Sequence, residues 1–319
     1  RDQKEREREC VCVRVCVFAC VRNLPFHMYK APPNRNSSLC VNERERETER
    51  TAKTALSVPT ASAMRLGATL LCASVVVVSV LTVLLASSQV WAWRGTFNPD
   101  RVHVVDYYKR ADGQLNIIFR GNEPSLDNNG TYSFAWDPLV TRMKEVLAET
   151  ENLDFPQNFQ VIDVNLLNPT EFKDEAEERK FFEKNPSLGR YMNWPIFGDL
   201  VNPLKLAVPL AADMARELNV WQLDRLPSRL PELRAMLQAE STGPAQIFYV
   251  HCEAGLDRTG EVCGSYYMQY KGMTLQQALD LDVSYAKREL RFMSVHGLSW
   301  YCLYLKYKVG FDQLTCDLQ

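Results

Sequence analysis

Ten consecutive residues, His251-Cys252-Glu253-Ala254-Gly255-Leu256-Asp257-Arg258-Thr259-Gly260, hold a nucleophile, a guanidinium and two glycines at a spacing suited to chemistry on a phosphate group. They follow the apolar run Ile247-Phe248-Tyr249-Val250, so the local order is strand, loop, helix. Five residues separate Cys252 from Arg258. A loop of that length, closing on a helix start near Thr259, turns the backbone N–H groups of Glu253, Ala254, Gly255, Leu256, Asp257 and Arg258 toward one point and adds the positive end of a helix dipole. The forked guanidinium of Arg258 completes a cradle for two phosphate oxygens, with Cys252 at its floor. A free thiol titrates at roughly 8.5, and amide donors, a helix N-terminus and a guanidinium together lower that value, which makes thiolate the resting form. Such a thiolate attacks phosphorus in line. Gly255 allows the turn that aims the amides, and the Thr259 hydroxyl is placed to orient the thiolate or the water of a second step. A buried cysteine after a core strand is the alternative, and it leaves the accompanying Gly, Arg, Thr and Gly unexplained.

His-Cys-x5-Arg-Thr-Gly, as it stands from His251 to Gly260, resembles the signature of the cysteine-based protein tyrosine and dual-specificity phosphatases. The resemblance implies a phosphocysteine intermediate on Cys252, phosphate binding by Arg258, no metal, no cofactor, and an Asp on a separate loop as general acid. It also implies that His251 tunes the nucleophile through hydrogen bonds to the loop backbone. It is strong over roughly residues 248–281 and only topological for residues 115–224.

A carboxylic acid on a mobile loop suits protonation of the leaving oxygen. Asp224, in Trp221-Gln222-Leu223-Asp224, lies 28 residues before Cys252, nearer the spacing that the resemblance implies, and is favoured on that ground. Asp199, in Trp194-Pro195-Ile196-Phe197-Gly198-Asp199, lies 53 before it but echoes the family's Trp-Pro-Asp loop. The third candidate is Asp257. Gly255-Leu256-Asp257-Arg258-Thr259 resembles the Gly-x-Asp-Arg-Thr of myotubularin-like inositol-lipid phosphatases, which implies a phosphoinositide or inositol-phosphate substrate instead. Against that, Glu253 and Asp257 put two carboxylates at the mouth of the site and the loop holds no Lys. Highly charged head groups meet repulsion there, and a phosphotyrosine, phosphoserine or phosphothreonine of a protein meets less. A phosphate-binding pseudophosphatase is the remaining reading, and the intact Cys252 and Arg258 speak against it.

The elements that must position these residues are legible in outline. Leu115–Phe119 reads as the domain's first strand, ending in a turn at Arg120–Pro124. Asp137-Pro138 reads as the N-cap and first position of a packing helix that faces inward through Val140, Met143, Val146 and Leu147. Residues 159–166 and 191–196 read as strands, and the charged run Glu171–Lys184 as a solvated helix face. Helices are expected near 204–218, 228–238 and 261–271. Thr274-Leu275-Gln276-Gln277 forms a capping box that starts another, and an apolar helix follows through Leu298, Tyr301, Cys302 and Leu305. Strands alternating with helices predict an α/β fold with a central, mainly parallel sheet flanked by helices, of the protein tyrosine phosphatase type. Cys263 reads as a packed thiol, and Cys302 and Cys316 as a pair in an oxidising compartment.

Upstream, residues 1–63 show Glu-Arg runs and Cys-Val alternation, with four of the ten cysteines between Cys10 and Cys20. Such repeats read as translated upstream sequence or a disordered arm. Residues 64–93 open with Met64-Arg65 and continue uncharged to Trp93, the layout of a secretory signal or of a retained single membrane anchor. This places the protein in the secretory pathway, or membrane-anchored with the domain facing the cytoplasm. Residues 94–319 form the phosphatase domain. They carry 24 Lys+Arg and 31 Asp+Glu, a net charge near −7, which excludes nucleic acid or an anionic membrane surface as the main partner.

Overall fold

The computed structural model describes residues 96–129 and 131–317. The expectations for 1–63 and 64–93 lie outside the described residues. Among the described residues seven strands form two sheets: β1 (His103–Lys109), β2 (Leu115–Asn122), β3 (Ser125–Asn128), β4 (Thr131–Phe134), β5 (Phe159–Asn165), β6 (Gly189–Asn193) and β7 (Ala245–Cys252). The main sheet has the order β1-β2-β7-β5-β6; β1 pairs antiparallel with β2, and every other pairing is parallel. β3 and β4 form a separate hairpin. The expected α/β fold with a mainly parallel sheet is what the chain adopts.

The central strands β2, β7 and β5 are buried on both faces, as strands of a covered parallel sheet are, polar residues such as Arg120, Asp163 and Asn165 included. Their side chains alternate between two cores. Ile118, Ile162, Val164, Phe248 and Val250 face one layer, which holds α5 (Leu226–Leu237), α6 (Asp257–Tyr270) and α8 (Phe292–Tyr304). Ile117, Phe119, Val161, Ile247 and Tyr249 face α1 (Trp136–Glu151), which contributes Leu139, Met143, Val146 and Leu147. The alternation sends Cys252 to the α6 side and His251 to the opposite one.

Several expectations are corrected. β1 precedes the strand read as the domain's first; it is interrupted by an irregularity between Val104 and Asp106, which breaks the period-2 pattern that would reveal it. α1 begins at Trp136 with Ala135 at its cap, so Asp137 sits inside the first turn instead of before it. The region near 204–218 is a short 3-10 turn (Pro203–Lys205), then α3 (Val208–Arg216) and the single turn α4 (Leu218–Trp221). The charged run forms α2 (Phe172–Lys184), but Glu178 and Phe182 are buried, so its face toward the sheet is not solvated. The capping box of α7 (Leu275–Ala286) forms as expected, with Thr274 and Gln277 exchanging bonds, and Cys302 and Cys316 are joined in a disulfide. Among the described residues no helix is long and apolar enough to cross a membrane.

Candidate functional site

β7 ends at Cys252 and α6 begins at Asp257, with the loop residues Glu253 to Leu256 between them, at the C-terminal edge of the parallel strands. The loop is fixed from both sides. Glu123 N–H donates to the Glu253 carbonyl at 3.2 Å, and Leu166 N–H to the His251 carbonyl at 2.9 Å. Gly255 has φ +68°, and a Cβ there would lie 2.4 Å from the Gly121 carbonyl oxygen, so only glycine fits the turn. Leu256 caps α6 with no side-chain bond to the first amides, which leaves them directed at the loop.

Cys252 is 3% exposed. Burial pushes its thiol up, but the Arg258 charge, the Thr259 hydroxyl and the backbone N–H groups of Thr259 and Leu256 outweigh it and hold the thiol below its ordinary range. Thr259 Oγ1 lies 3.2 Å from the sulfur and donates to it. The loop therefore sets the sulfur beside the groups that favour its charged form.

Arg258 is held by a residue not singled out in the sequence. Its Nη1 and Nη2 donate to Glu171 Oε2 and Oε1 at 2.5 and 2.8 Å, a fork-to-fork pair that fixes the guanidinium plane. Glu171 Oε2 also accepts from Asn168 N–H at 3.0 Å.

His251 departs from expectation. Its Nε2 lies 2.7 Å from Asp163 Oδ1 and 3.4 Å from Glu178 Oε2, on the far side of the sheet from Cys252, so it reaches to β5 and α2 and not to the loop backbone. Strand register explains this: the Cα partner of His251 is Asn165, and Asp163 lies two residues earlier on the same face. Burial alone would lower the imidazole pKa, but the two carboxylates raise it well above the ordinary value; burial pushes Glu178 up to about 7. The ligand-type atoms of the three lie within 4.8 Å of one another, and the short His251–Asp163 contact makes the cluster a hydrogen-bonded one.

The three acid candidates have distinct surroundings. Asp257 accepts from Arg288 Nη1 and Nη2 at 2.9 and 2.6 Å and from Arg291 N–H at 2.7 Å. Burial raises its carboxyl, but these partners outweigh burial and hold it below the usual range. They also offset the negative charge that the sequence places at the mouth. Asp224 is 1% exposed, and its two oxygens accept from the N–H groups of Phe197 and Gly198 at 2.7 and 2.9 Å. Asp199, half-buried, accepts from Gln222 Nε2 at 2.9 Å, and burial pushes its carboxyl up to about 6. Asp199 N–H donates to the Met293 carbonyl at 3.0 Å, two residues from the Arg291 that binds Asp257. The Asp199 loop and the phosphate loop therefore meet at the first turn of α8. The structure thus brings Cys252, Arg258 and Thr259 into one site, joins the Asp199 loop to the start of α8, and has Asp224 hold that loop through the amides of Phe197 and Gly198.

Similar solved structures include PTPMT1 in complex with PI(5)P, 14% identical, covering 65% of this chain and 97% of that one with a TM-score of 0.31. Human DUSP28 is 15% identical, with 61% and 90% covered and a TM-score of 0.28. P. aeruginosa TpbA is 15% identical, with 66% and 98% covered and a TM-score of 0.28. No family model and no curated protein matches the chain. The functional reading therefore rests on the loop itself.

Proposed function

We propose that this protein is a cysteine-dependent phosphomonoester hydrolase acting on phosphotyrosine or phosphoserine/threonine in proteins. The observation that carries this reading is the buried Cys252 sulfur under Arg258, Thr259 and the first amides of α6, with its thiol held below the ordinary range. The Cys252 thiolate attacks phosphorus, forming an S–P bond as the P–O bond to the alcohol or phenol breaks. Arg258 and the loop amides bind the three non-bridging oxygens through the transition state. Asp199 gives its proton to the leaving oxygen; burial raises both carboxyls, but the oxygens of Asp224 are engaged by two amides, whereas the Asp199 carboxyl, pushed up to about 6, takes one side-chain bond from Gln222. Water then cleaves the S–P bond, giving its proton to the Asp199 carboxylate and releasing inorganic phosphate and the thiolate.

A second reading, inositol-phosphate or phosphoinositide hydrolysis, draws on Arg288 and Arg291 beside Asp257, two cations at the rim of the cradle. The Cys302–Cys316 disulfide supports assignment to the secretory pathway.

The test is phosphate release by the full chain on phosphopeptides and on phosphoinositides in parallel, with Cys252→Ser and Asp199→Asn variants. Peptide turnover abolished by Cys252→Ser and lowered in kcat by Asp199→Asn supports the proposal. Turnover confined to lipids supports the second reading, and absence of turnover on both would leave a phosphate-binding protein.

A further inference from the structure

A buried carboxyl that the chemistry above does not use lies on α6, three residues after Arg258. Glu261 is completely buried. Its carboxyl occupies the place of the side chain that residue 297 lacks: a Cβ on Gly297 of α8 would lie 2.0 Å from Glu261 Oε1 and 2.5 Å from its Cδ. Neither Glu261 oxygen accepts a hydrogen bond, yet Asp224 and the Ser294 hydroxyl lie within hydrogen-bonding reach. An ionised carboxylate there would be a buried charge beside two other acids, with the neutral Ser294 hydroxyl as the donor in reach. A protonated one donates its O–H to Asp224.

We propose that Glu261 is a positioning residue, a buried carboxylic acid whose proton, shared with Asp224, fastens the loop bearing Asp199 to the helix that leaves the phosphate loop. The chain of contacts is continuous. Glu261 lies within hydrogen-bonding reach of Asp224, and Asp224 accepts from the amides of Phe197 and Gly198, the two residues before Asp199. Gly198 has φ +72°, and a Cβ there would lie 2.9 Å from the Met293 carbonyl carbon and oxygen, so the loop is pressed on α8. From α5, Arg229 Nη1 donates to the Pro195 and Asp224 carbonyls at 2.9 and 2.7 Å. The groups facing the pair are Asp224 and Asp199 from their loops, Arg229 from α5, and Ser294 and His296 from α8, with His296 Nδ1 3.1 Å from the Asp199 carbonyl. Arg229 spends its donors on carbonyls, and Gln222 supplies the Asp199 carboxylate with a neutral one. Burial, then the charges of Asp224 and Asp199, raise Glu261 well above the ordinary carboxyl range, in keeping with a retained proton. Loss of that proton sets a second negative charge against Asp224 and releases residues 197–199.

The inference rests on Asp199 being the acid only for its catalytic consequence; the fastening is tested without turnover. Amide hydrogen exchange of Phe197 and Gly198, corrected for intrinsic rates, is followed against pH in the full chain, Glu261→Gln and Glu261→Ala. Wild-type protection is expected to fall as pH rises. Glu261→Gln, a neutral donor of similar shape, keeps protection flat, and Glu261→Ala loses it at every pH. An infrared band of a protonated buried carboxyl at neutral pH, absent from Glu261→Gln, is the second expected result. In turnover, Glu261→Ala lowers kcat on the order of ten- to a hundredfold with little change in KM, and kcat of Glu261→Gln stands well above it. Protection in Glu261→Ala equal to wild type, Glu261→Gln exchanging like Glu261→Ala, or no protonated-carboxyl band would each overturn the proposal. A wild type without phosphatase activity overturns the functional reading and leaves the exchange experiment to decide this one.

Discussion

Glu171→Gln separates what Arg258 does by charge from what it does by position. The pair is 18% and 22% exposed, so solvent screens it only in part, and each charge-assisted bond of this kind is worth about 1.5–3 kcal/mol before that screening. Gln leaves one neutral acceptor where the carboxylate offered two charged ones. A loss of about 1–2 kcal/mol in holding the guanidinium plane follows, or about tenfold in kcat/KM at roughly 1.4 kcal/mol per decade. Glu171→Ala removes both acceptors and the Asn168 bond, and about thirty- to a hundredfold is expected. Electrostatics alone gives the opposite sign, because removing a carboxylate makes the cradle more positive, lowers the Cys252 thiol further and tightens phosphate binding. The assay is steady-state turnover of a phosphotyrosine peptide with phosphate as product inhibitor, alongside thermal unfolding to confirm that both variants are folded. A kcat/KM equal to or above wild type in both variants would refute the claim that Glu171 holds Arg258 in its working plane.

Four further outcomes are expected. With Asp199 raised to about 6, its proton is present below that pH and lost above it, so kcat should decline above about pH 6, and Asp199→Asn should lower kcat and flatten that limb. Glu261 has a folded pKa above its unfolded one, so its stabilising contribution is full below the unfolded value near 4.3 and lost as pH rises. The Tm of Glu261→Gln relative to wild type should therefore climb from about pH 5 upward, and a constant difference across pH would contradict this. Asp282→Ala strands the fully buried Arg120 guanidinium without its carboxylate and should cost about 3–5 kcal/mol, read as a fall of roughly 10 °C in Tm. Cys302→Ser opens a link between residues 14 apart and should cost about 3 kcal/mol, and reductant should lower the wild-type Tm and leave the variant unchanged.

The strand–loop–helix that gathers Cys252, Arg258 and Thr259 was legible because it is contiguous: ten adjacent residues specify the turn, the donors and the thiol. The capping box of α7 was legible for the same reason. What was not legible is held together across the chain. Arg258 meets Glu171 over 87 residues and His251 meets Asp163 over 88, and nothing adjacent to either carboxylate marks its partner. The acid shows how distance misleads. Asp224 had the better spacing to Cys252, but both its oxygens are bound by the backbone amides of residues 197 and 198, which makes it an anchor and leaves Asp199 as the proposed acid. Glu261 reads on the page as one more polar residue of a helix; only the notch left by Gly297 reveals that its carboxyl is enclosed.

The direct test of Cys252 as nucleophile is rapid acid quench of the full chain during turnover of a phosphopeptide, with intact-mass and peptide analysis of the protein. One phosphoryl group on Cys252, appearing within the first turnover and absent from Cys252→Ser, is the predicted result. Phosphate release with no phosphoprotein, surviving in Cys252→Ser, would contradict it.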